Sequence, residues 1–350
     1  MLKLLKLEHM PDQQSMLVFH ALARLGFEGL VVVSPKIPLA SIGYFQDAKK
    51  EIDLDFCKKN KIPVMRREVG GGATYLDGDQ VFYQLIWKKG NSNFPTRIKD
   101  VFPYLSEPAV NTYGDFGIKT MFKPENDIVT KDKRKIAGEG GGDIGDSMVF
   151  VGGILMDFDY KTMSKIIKAP DEKFRDKIYK SMEENLTTMK REIGHMPDRE
   201  EVVSSLVNNF ENLIGRLKPI KLDKTTFNKM IELEKYFTSD RFLFKKTPRI
   251  PKGVKIREGV DILYSTYKAG GGLIRTSQEI KENMIESIGI SGDFQFYPKS
   301  ELSGLEKDLQ KTKRKERKII DKVEDFYHKK NIESPGVEPE DVTEAIMEAK

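Results

Sequence analysis

Three consecutive glycines, Gly70-Gly71-Gly72, sit between two stretches that read as β-strands, and this junction constrains the fold more than any other part of the chain. Ile62-Pro63-Val64-Met65 leads in, and the alternating run Val81-Phe82-Tyr83-Gln84-Leu85-Ile86-Trp87 leads out. Glycine has no side chain, so a ligand can lie against bare backbone here and accept hydrogen bonds from its N–H groups. Arg66 and Arg67 stand just upstream, and arginine forks readily onto a carboxylate or a phosphate. An anion-holding loop on a sheet is one reading; a glycine-rich hairpin without ligand is the other. This segment alone leaves both open.

A second segment favours the first reading. Glu125-Asn126-Asp127-Ile128-Val129-Thr130 is followed by a polar turn and then by Lys135-Ile136-Ala137-Gly138. The pattern predicts a β-hairpin with Asp127 on one arm and Lys135 on the other. Glu139-Gly140-Gly141-Gly142 then reads as a second flexible glycine loop before the apolar strand Met148–Met156. A lysine offsets negative charge developing on a phosphate, and a carboxylate holds a magnesium ion that keeps most of its waters. Standing alone, Lys135 would read as an ordinary solvated turn residue.

In this order, the two segments resemble the lipoate–protein ligase family of the biotin/lipoate ligase superfamily. Arg66, Arg67, Gly70, Gly71, Gly72 and Ala73 match that family's Arg-Arg-x-x-Gly-Gly-Gly-Ala motif. Asn126 and Asp127 match its Asn-Asp pair, and Lys135 with Gly138 its Lys-[Ile/Val]-x-Gly. Ser41–Asp47 and the helix expected over Glu51–Cys57 match the lead-in, and the likeness runs from about residue 4 to about residue 325. It implies an α+β fold: a class II biotin/lipoyl ligase-like catalytic domain, with a mixed β-sheet and flanking helices, over residues 1–245. A small α+β accessory domain is expected over residues 252–350. It also implies ATP-dependent activation of lipoate to lipoyl-AMP, then transfer to a lysine of a lipoyl carrier. The carrier would be an H-protein-like chain, an E2 lipoyl domain or a lipoate-binding protein. Lys135 is the implied catalytic residue and Asp127 the implied ligand of Mg2+. Arg67, Gly70, Gly71, Gly72, Ala73, Asp77, Asn126 and Gly138 are the implied nucleotide and acyl contacts.

The departures from the motif are themselves readable. Leu76 and Phe150 stand where many members carry histidine, Gln80 where they carry asparagine, and Phe19-His20 where an Asp-Glu pair is common. The pocket rim is therefore expected to be more apolar than usual. Val69, Leu76 and Gln80 resemble a branch paired with lipoate-binding proteins of sulfur metabolism. Three rivals remain: an octanoyl or lipoyl transferase that needs no ATP, a non-catalytic lipoyl-binding scaffold, and a biotin ligase. The last usually carries a Gly-Arg-Gly-Arg loop, absent here. Transferases of the superfamily use a cysteine in or after the Lys-x-x-Gly region, and residues 126–160 contain none.

Cys57, the one cysteine, excludes an internal disulfide, suits a reducing cytoplasm and sits in a stretch where it reads as core packing. No apolar run approaches a membrane span, and the interrupted Met1–Leu7 stretch is too short for a secretory core, so a cytoplasmic location is expected. Helices are expected over Lys161–Ala169, Pro170–Asn185, Arg199–Leu217 and Phe227–Phe237, with Asp198 capping the third. Phe244–Gly253 reads as a basic linker. Strands are expected over Val254–Tyr267 and Leu273–Ile290 around a Gly270–Gly272 turn, and after Ser291–Phe294. Leu302–Lys330 reads as one helix, and Glu338–Ala349 as a terminal one. The basic run Lys311–Lys318 on that helix reads as a solvated face, is also consistent with an acidic protein partner, and points less to nucleic acid.

Overall fold

The computed structural model describes residues 1–11, 13–248 and 260–350. Its centre is an eight-stranded mixed sheet. In spatial order the strands are Lys218–Pro219, Lys3–Met10, Gly29–Pro35, Gln80–Lys88, Ser147–Leu155, Lys135–Ile144, Asp127–Thr130 and Thr120–Lys123. Lys3–Met10 runs parallel to both its neighbours, and the remaining pairings are antiparallel. The central strand Gly29–Pro35 is buried at every position, as its run of valines demands. Helices cover both faces. Ile98–Asp115 and Arg199–Ile214 pack on one side through Phe102, Leu105, Leu206 and Phe210; Gln14–Arg24 and Lys224–Phe237 pack on the other through Leu17, Phe19, Met230 and Phe237. Each such fully buried side chain contributes about 1.5–3 kcal/mol from burial. The expected α+β architecture is what this sheet and its helices form.

A smaller sheet sets the glycine loop. Leu39–Ile42 lies between Val64–Arg66, parallel to it, and Thr74–Leu76, antiparallel to it. The loop holding Gly70–Gly72 therefore leaves one side of a single strand and returns to the other. The expected helix over Glu51–Cys57 is two short ones, Ala48–Glu51 and Leu54–Lys59, capped by Asp47 and Asp53. Asp198 does cap Arg199–Ile214, its carboxylate accepting from Glu201 N.

Past the described gap, Val260–Ala269, Gly272–Lys281 and Met284–Gly292 form an antiparallel meander. The helices Glu301–Asp308, Glu316–Lys330 and Pro339–Met347 back it, around Ile274, Ile290, Leu305, Ile319 and Val323. Leu302–Lys330 is thus two helices, not one: Lys311 adopts φ +59° at the break. The basic run straddles this turn and the start of the second helix instead of forming a continuous face. Among the described residues no strand follows Phe294, only isolated bridges from Tyr297 to Glu333 and from Met284 to Lys313. Of the expected linker, Phe244–Pro248 are described and anchored: Lys246 pairs with Glu306 at 2.8 Å, and Thr247 donates to Asp47. Residues 249–253, and the start of the strand expected from Val254, lie outside the described residues. Phe45 reaches from the first part of the chain into the meander's core, stacked on Phe294 at 5.3 Å.

Candidate functional site

Both arginines before the glycine loop are buried, and both serve the backbone. Arg66 donates to four carbonyls: Phe242 at 2.8 Å, Gly43 at 3.0 Å, Tyr44 at 2.7 Å and Leu243 at 2.5 Å. Arg67 Nη2 donates to Gly70 O at 2.9 Å and Gly72 O at 2.8 Å, and its Nη1 reaches Ser41 Oγ at 3.3 Å. Burial lowers both guanidinium pKa values to about 10, which leaves them charged at neutral pH. The expected anion fork is therefore a pair of internal braces. Their charge stabilises buried carbonyls, and where no other donor reaches, as none is seen among the described residues for Tyr44 O or Leu243 O, losing the arginine would cost about 1–3 kcal/mol per carbonyl.

The glycines are required by close approach. Gly71 has φ +92°, and a Cβ there would lie 3.1 Å from Arg67 Nη2. A Cβ on Gly70 would run into Gln295 and come within 2.9 Å of Phe294 O, so the loop is pinned from beneath by the residues after the meander.

The hairpin forms as the sequence predicts. Asp127–Thr130 pairs with Lys135–Ile144, Asp127 opposite Gly138. Lys135 Nζ lies 2.6 Å from Asp127 Oδ1, with the two side chains 38% and 26% exposed. Gly138 lets the lysine stem fold over the strand: a Cβ there would meet Nζ at 3.0 Å. Asn126 Nδ2 donates to Glu139 O at 2.5 Å, which fixes the turn into this strand. The second glycine run is not a loop. Gly140, Gly141 and Gly142 are mid-strand, and glycine is needed because Tyr297 Oη and Glu68 O lie 2.9 Å and 3.0 Å from where Cβ atoms of Gly141 and Gly142 would sit.

A cavity of ≈ 280 Å³ opens between loop, hairpin and the N-terminal helix. Lys135, Asn126, Gly138, Arg67, Gly71, Gly72 and Ala73 all line it; Gly70, Asp77 and Asp127 do not. Gly70 faces Gln295 instead. Asp77 accepts from Gln80 Nε2 and Asp79 N, both at 3.1 Å, and burial raises its pKa to about 6, so it acts on the wall through Gln80. Asp127 reaches the site only through Lys135. Much of the rest of the wall is apolar, with Phe19, Phe82, Leu76, Val151, Met182 and Leu186, but Ser15, Thr74, Gln80, Gln84 and Glu139 also line it. Of these, Leu76 and Phe19 stand at positions where the motif departs, and so does the lining residue Gln80; Phe150 is instead core, and His20 lies under the loop. Sequence reasoning did not find Phe82, Met182 or Leu186. The Gly152-Gly153 pair was the signal for the first, since a Cβ on Gly153 would meet the Phe82 ring at 2.9 Å.

Beneath the loop, His20 is neutral. Glu68 N donates to its Nε2 at 3.0 Å while Nδ1 faces Met16 O at 2.8 Å, and burial lowers its pKa to about 3. Burial pushes the Glu68 carboxyl up, but the charges of Lys299 and Arg24 draw it below its ordinary value; Arg24 sits 2.7 Å away and Lys299 3.5 Å. On the far face of the sheet, Glu139 is buried and raised to about 8, chiefly by desolvation, with Tyr83 Oη donating to it at 2.5 Å and Ser106 also donating. Among the described residues no three His, Cys, Asp or Glu side chains cluster as a metal site. No helix among them is long and apolar enough to cross a membrane.

Residues 23–211 match the model of the lipoyl protein ligase A/B catalytic domain. Lipoate-protein ligase A subunit 1 of Thermoplasma acidophilum is 31% identical over 182 residues, covering 49% of this chain and 67% of that one. The octanoyltransferase LipM of Staphylococcus epidermidis is 24% identical over 233 residues, covering 59% and 83%. The solved structure of LipL1 of P. falciparum in complex with lipoate superposes with a TM-score of 0.68 at 17% identity, covering 95% of each chain, so the fold is shared along nearly the whole length.

Proposed function

Because the chain belongs to the lipoyl protein ligase A/B family, we propose that it is the ATP-dependent member of that family's two chemistries, a lipoate–protein ligase. The observation that carries this reading is Lys135, aligned by Asp127 and Gly138 in a cavity with a largely apolar wall. The apolar wall suits a medium-chain acyl group, and the lysine suits the carboxylate at its end. Transfer through a thioester would need a thiol at the site. Cys57, the one cysteine of the sequence, is buried among Ala48, Ile52 and Met163, does not line the cavity, and has its pKa pushed up to about 11 by burial.

In the first half-reaction a lipoate carboxylate oxygen attacks the α-phosphorus of ATP; the bond to pyrophosphate breaks and lipoyl-AMP forms. Lys135 Nζ would hold the carboxylate and the α-phosphate together, offsetting the charge that builds on the phosphorus oxygens. The backbone of Gly71 and Gly72, kept open by Arg67, would let the adenylate approach. In the second half-reaction a neutral carrier lysine attacks the acyl carbon and AMP leaves, so the enzyme needs no nucleophile of its own. Asp127, 2.6 Å from Lys135 Nζ, is the carboxylate that would hold a magnesium ion arriving with the triphosphate. When bound, it would neutralise the triphosphate.

The residues after the described gap form their own core and press on the glycine loop through Phe294 and Gln295. We propose that residues 252–350 act as an accessory unit to a catalytic unit of residues 1–245. The partner would be a lipoyl carrier domain presenting a lysine. Mass spectrometry of the protein with ATP, magnesium and lipoate tests the reading: lipoyl-AMP is expected, and its absence alongside carrier-to-carrier acyl transfer would favour the transferase.

A further inference from the structure

Gln84 lies on the central strand Gln80–Lys88, lines the cavity and is only 4% exposed. Its Nε2 donates to Ser15 O at 3.0 Å, which fixes the amide orientation because a carbonyl can only accept. That leaves Oε1, buried and without a hydrogen-bond partner among the described residues. An acceptor in this state costs free energy unless something donates to it, so a polar glutamine on an apolar wall calls for an explanation.

The register places Gln84 at the far end of the cavity from Lys135. Gln84 pairs with Val151, and Val151 pairs in turn with Gly140. Lys135 lies five positions before Gly140 on that strand, so it is displaced by about 16 Å along the strands and about 10 Å across two inter-strand spacings. Once both side chains reach inward, the remaining span suits a chain of octanoyl length with its carboxylate at Lys135. The cavity lining also includes Ser15, whose carbonyl Gln84 already engages, and the apolar side chains of Met16, Phe19, Phe82 and Val151; none of these donates to Gln84 Oε1.

We propose that Gln84 is a specificity-determining residue: its Oε1 accepts a hydrogen bond from a donor at the distal end of the acyl chain. The preferred substrate is then an acid with a thiol or hydroxyl at that end, so dihydrolipoate over its cyclic disulfide form and over octanoate. This rests on the reading of the cavity as an acyl site, but its test does not require turnover.

Affinities of the full chain for octanoate, ω-hydroxyoctanoate, lipoate and dihydrolipoate are measured by calorimetry without ATP, under reductant for the dithiol. The wild type should bind ω-hydroxyoctanoate and dihydrolipoate about tenfold or more tightly than octanoate. Gln84→Leu and Gln84→Met should erase that ratio by tightening octanoate and weakening the donors. Equal affinities in the wild type, or a ratio unchanged in both variants, would overturn the proposal. Should one variant fail to fold, the ligand series on the wild type and the other variant still decides it. Pyrophosphate release is measured separately: acids that bind with the expected ratio but release none would refute ATP-dependent activation while supporting the role of Gln84.

Discussion

Lys135 Nζ sits 2.6 Å from Asp127 Oδ1, two charges on adjacent strands of one hairpin, with Lys135 lining a cavity whose wall is largely apolar. With both partners part-exposed, the pair contributes little to stability, about 0–1 kcal/mol. Its value is positional: the carboxylate holds a flexible lysine where a ligand's negative charge would arrive.

Lys135→Ala should therefore cut lipoyl-AMP formation by about a hundredfold or more, since a preorganised charge at a reacting centre is worth about 2.7–4 kcal/mol. The circular dichroism spectrum and melting temperature should stay close to those of the wild type. Near-normal adenylation by this variant would remove Lys135 from the chemistry.

Gly71→Val should abolish lipoate binding in a folded protein. The φ of +92° excludes a β-branched residue without strain, and the new Cβ would press on Arg67 Nη2. Calorimetry of lipoate binding is the check, and an unchanged affinity would mean the loop only turns the chain.

Arg67→Lys should lower stability as well as binding. A lysine offers one nitrogen where the guanidinium places Nη2 on Gly70 O and Gly72 O and Nη1 on Ser41 Oγ. Loss of one charged hydrogen bond inside the protein costs about 1.5–3 kcal/mol. Thermal unfolding should show a clear drop; a variant as stable as the wild type would refute the bracing role.

Glu139 gives a pH prediction. Its folded pKa is raised from an ordinary 4.5 to about 8. Between those values the folded carboxyl keeps a proton that the unfolded chain releases, so this group's contribution is full below pH 4.5 and is lost as pH rises toward 8. His20 acts oppositely and lower: with its pKa depressed to about 3, its contribution is full above pH 6.5 and is lost as pH falls toward 3. Glu139→Gln should remove the alkaline decline, and denaturant unfolding between pH 6.5 and 8.5 isolates it from His20. A wild type whose stability is flat across that range would contradict a protonated Glu139.

The hairpin carrying Asp127 and Lys135, and the capping Asp198, were legible in the sequence because local patterns determine them: alternation about a polar turn, and an acidic residue three before a helix's N–H. Gly140–Gly142 was misread as a loop because glycine's local preference points there, whereas its real reason is the distant Tyr297 and Glu68 pressing on that strand. The internal bracing by the arginine pair is equally hidden from local pattern. Nothing in Arg66-Arg67 reveals that Phe242 and Leu243, far along the chain, will bring their carbonyls to it. The break within Leu302–Lys330 depends on Lys311 at φ +59°, a conformation no lysine-rich run advertises. Leu76 and Phe19 were readable as rim positions only through the motif.

The most direct test of an acyl-activating enzyme built around Lys135 is pyrophosphate release from ATP and magnesium, with lipoate added and carrier withheld. Release should require lipoate and fall about a hundredfold or more in Lys135→Ala. Lipoate-independent release, or none at all while the protein moves acyl groups between carriers, would contradict it.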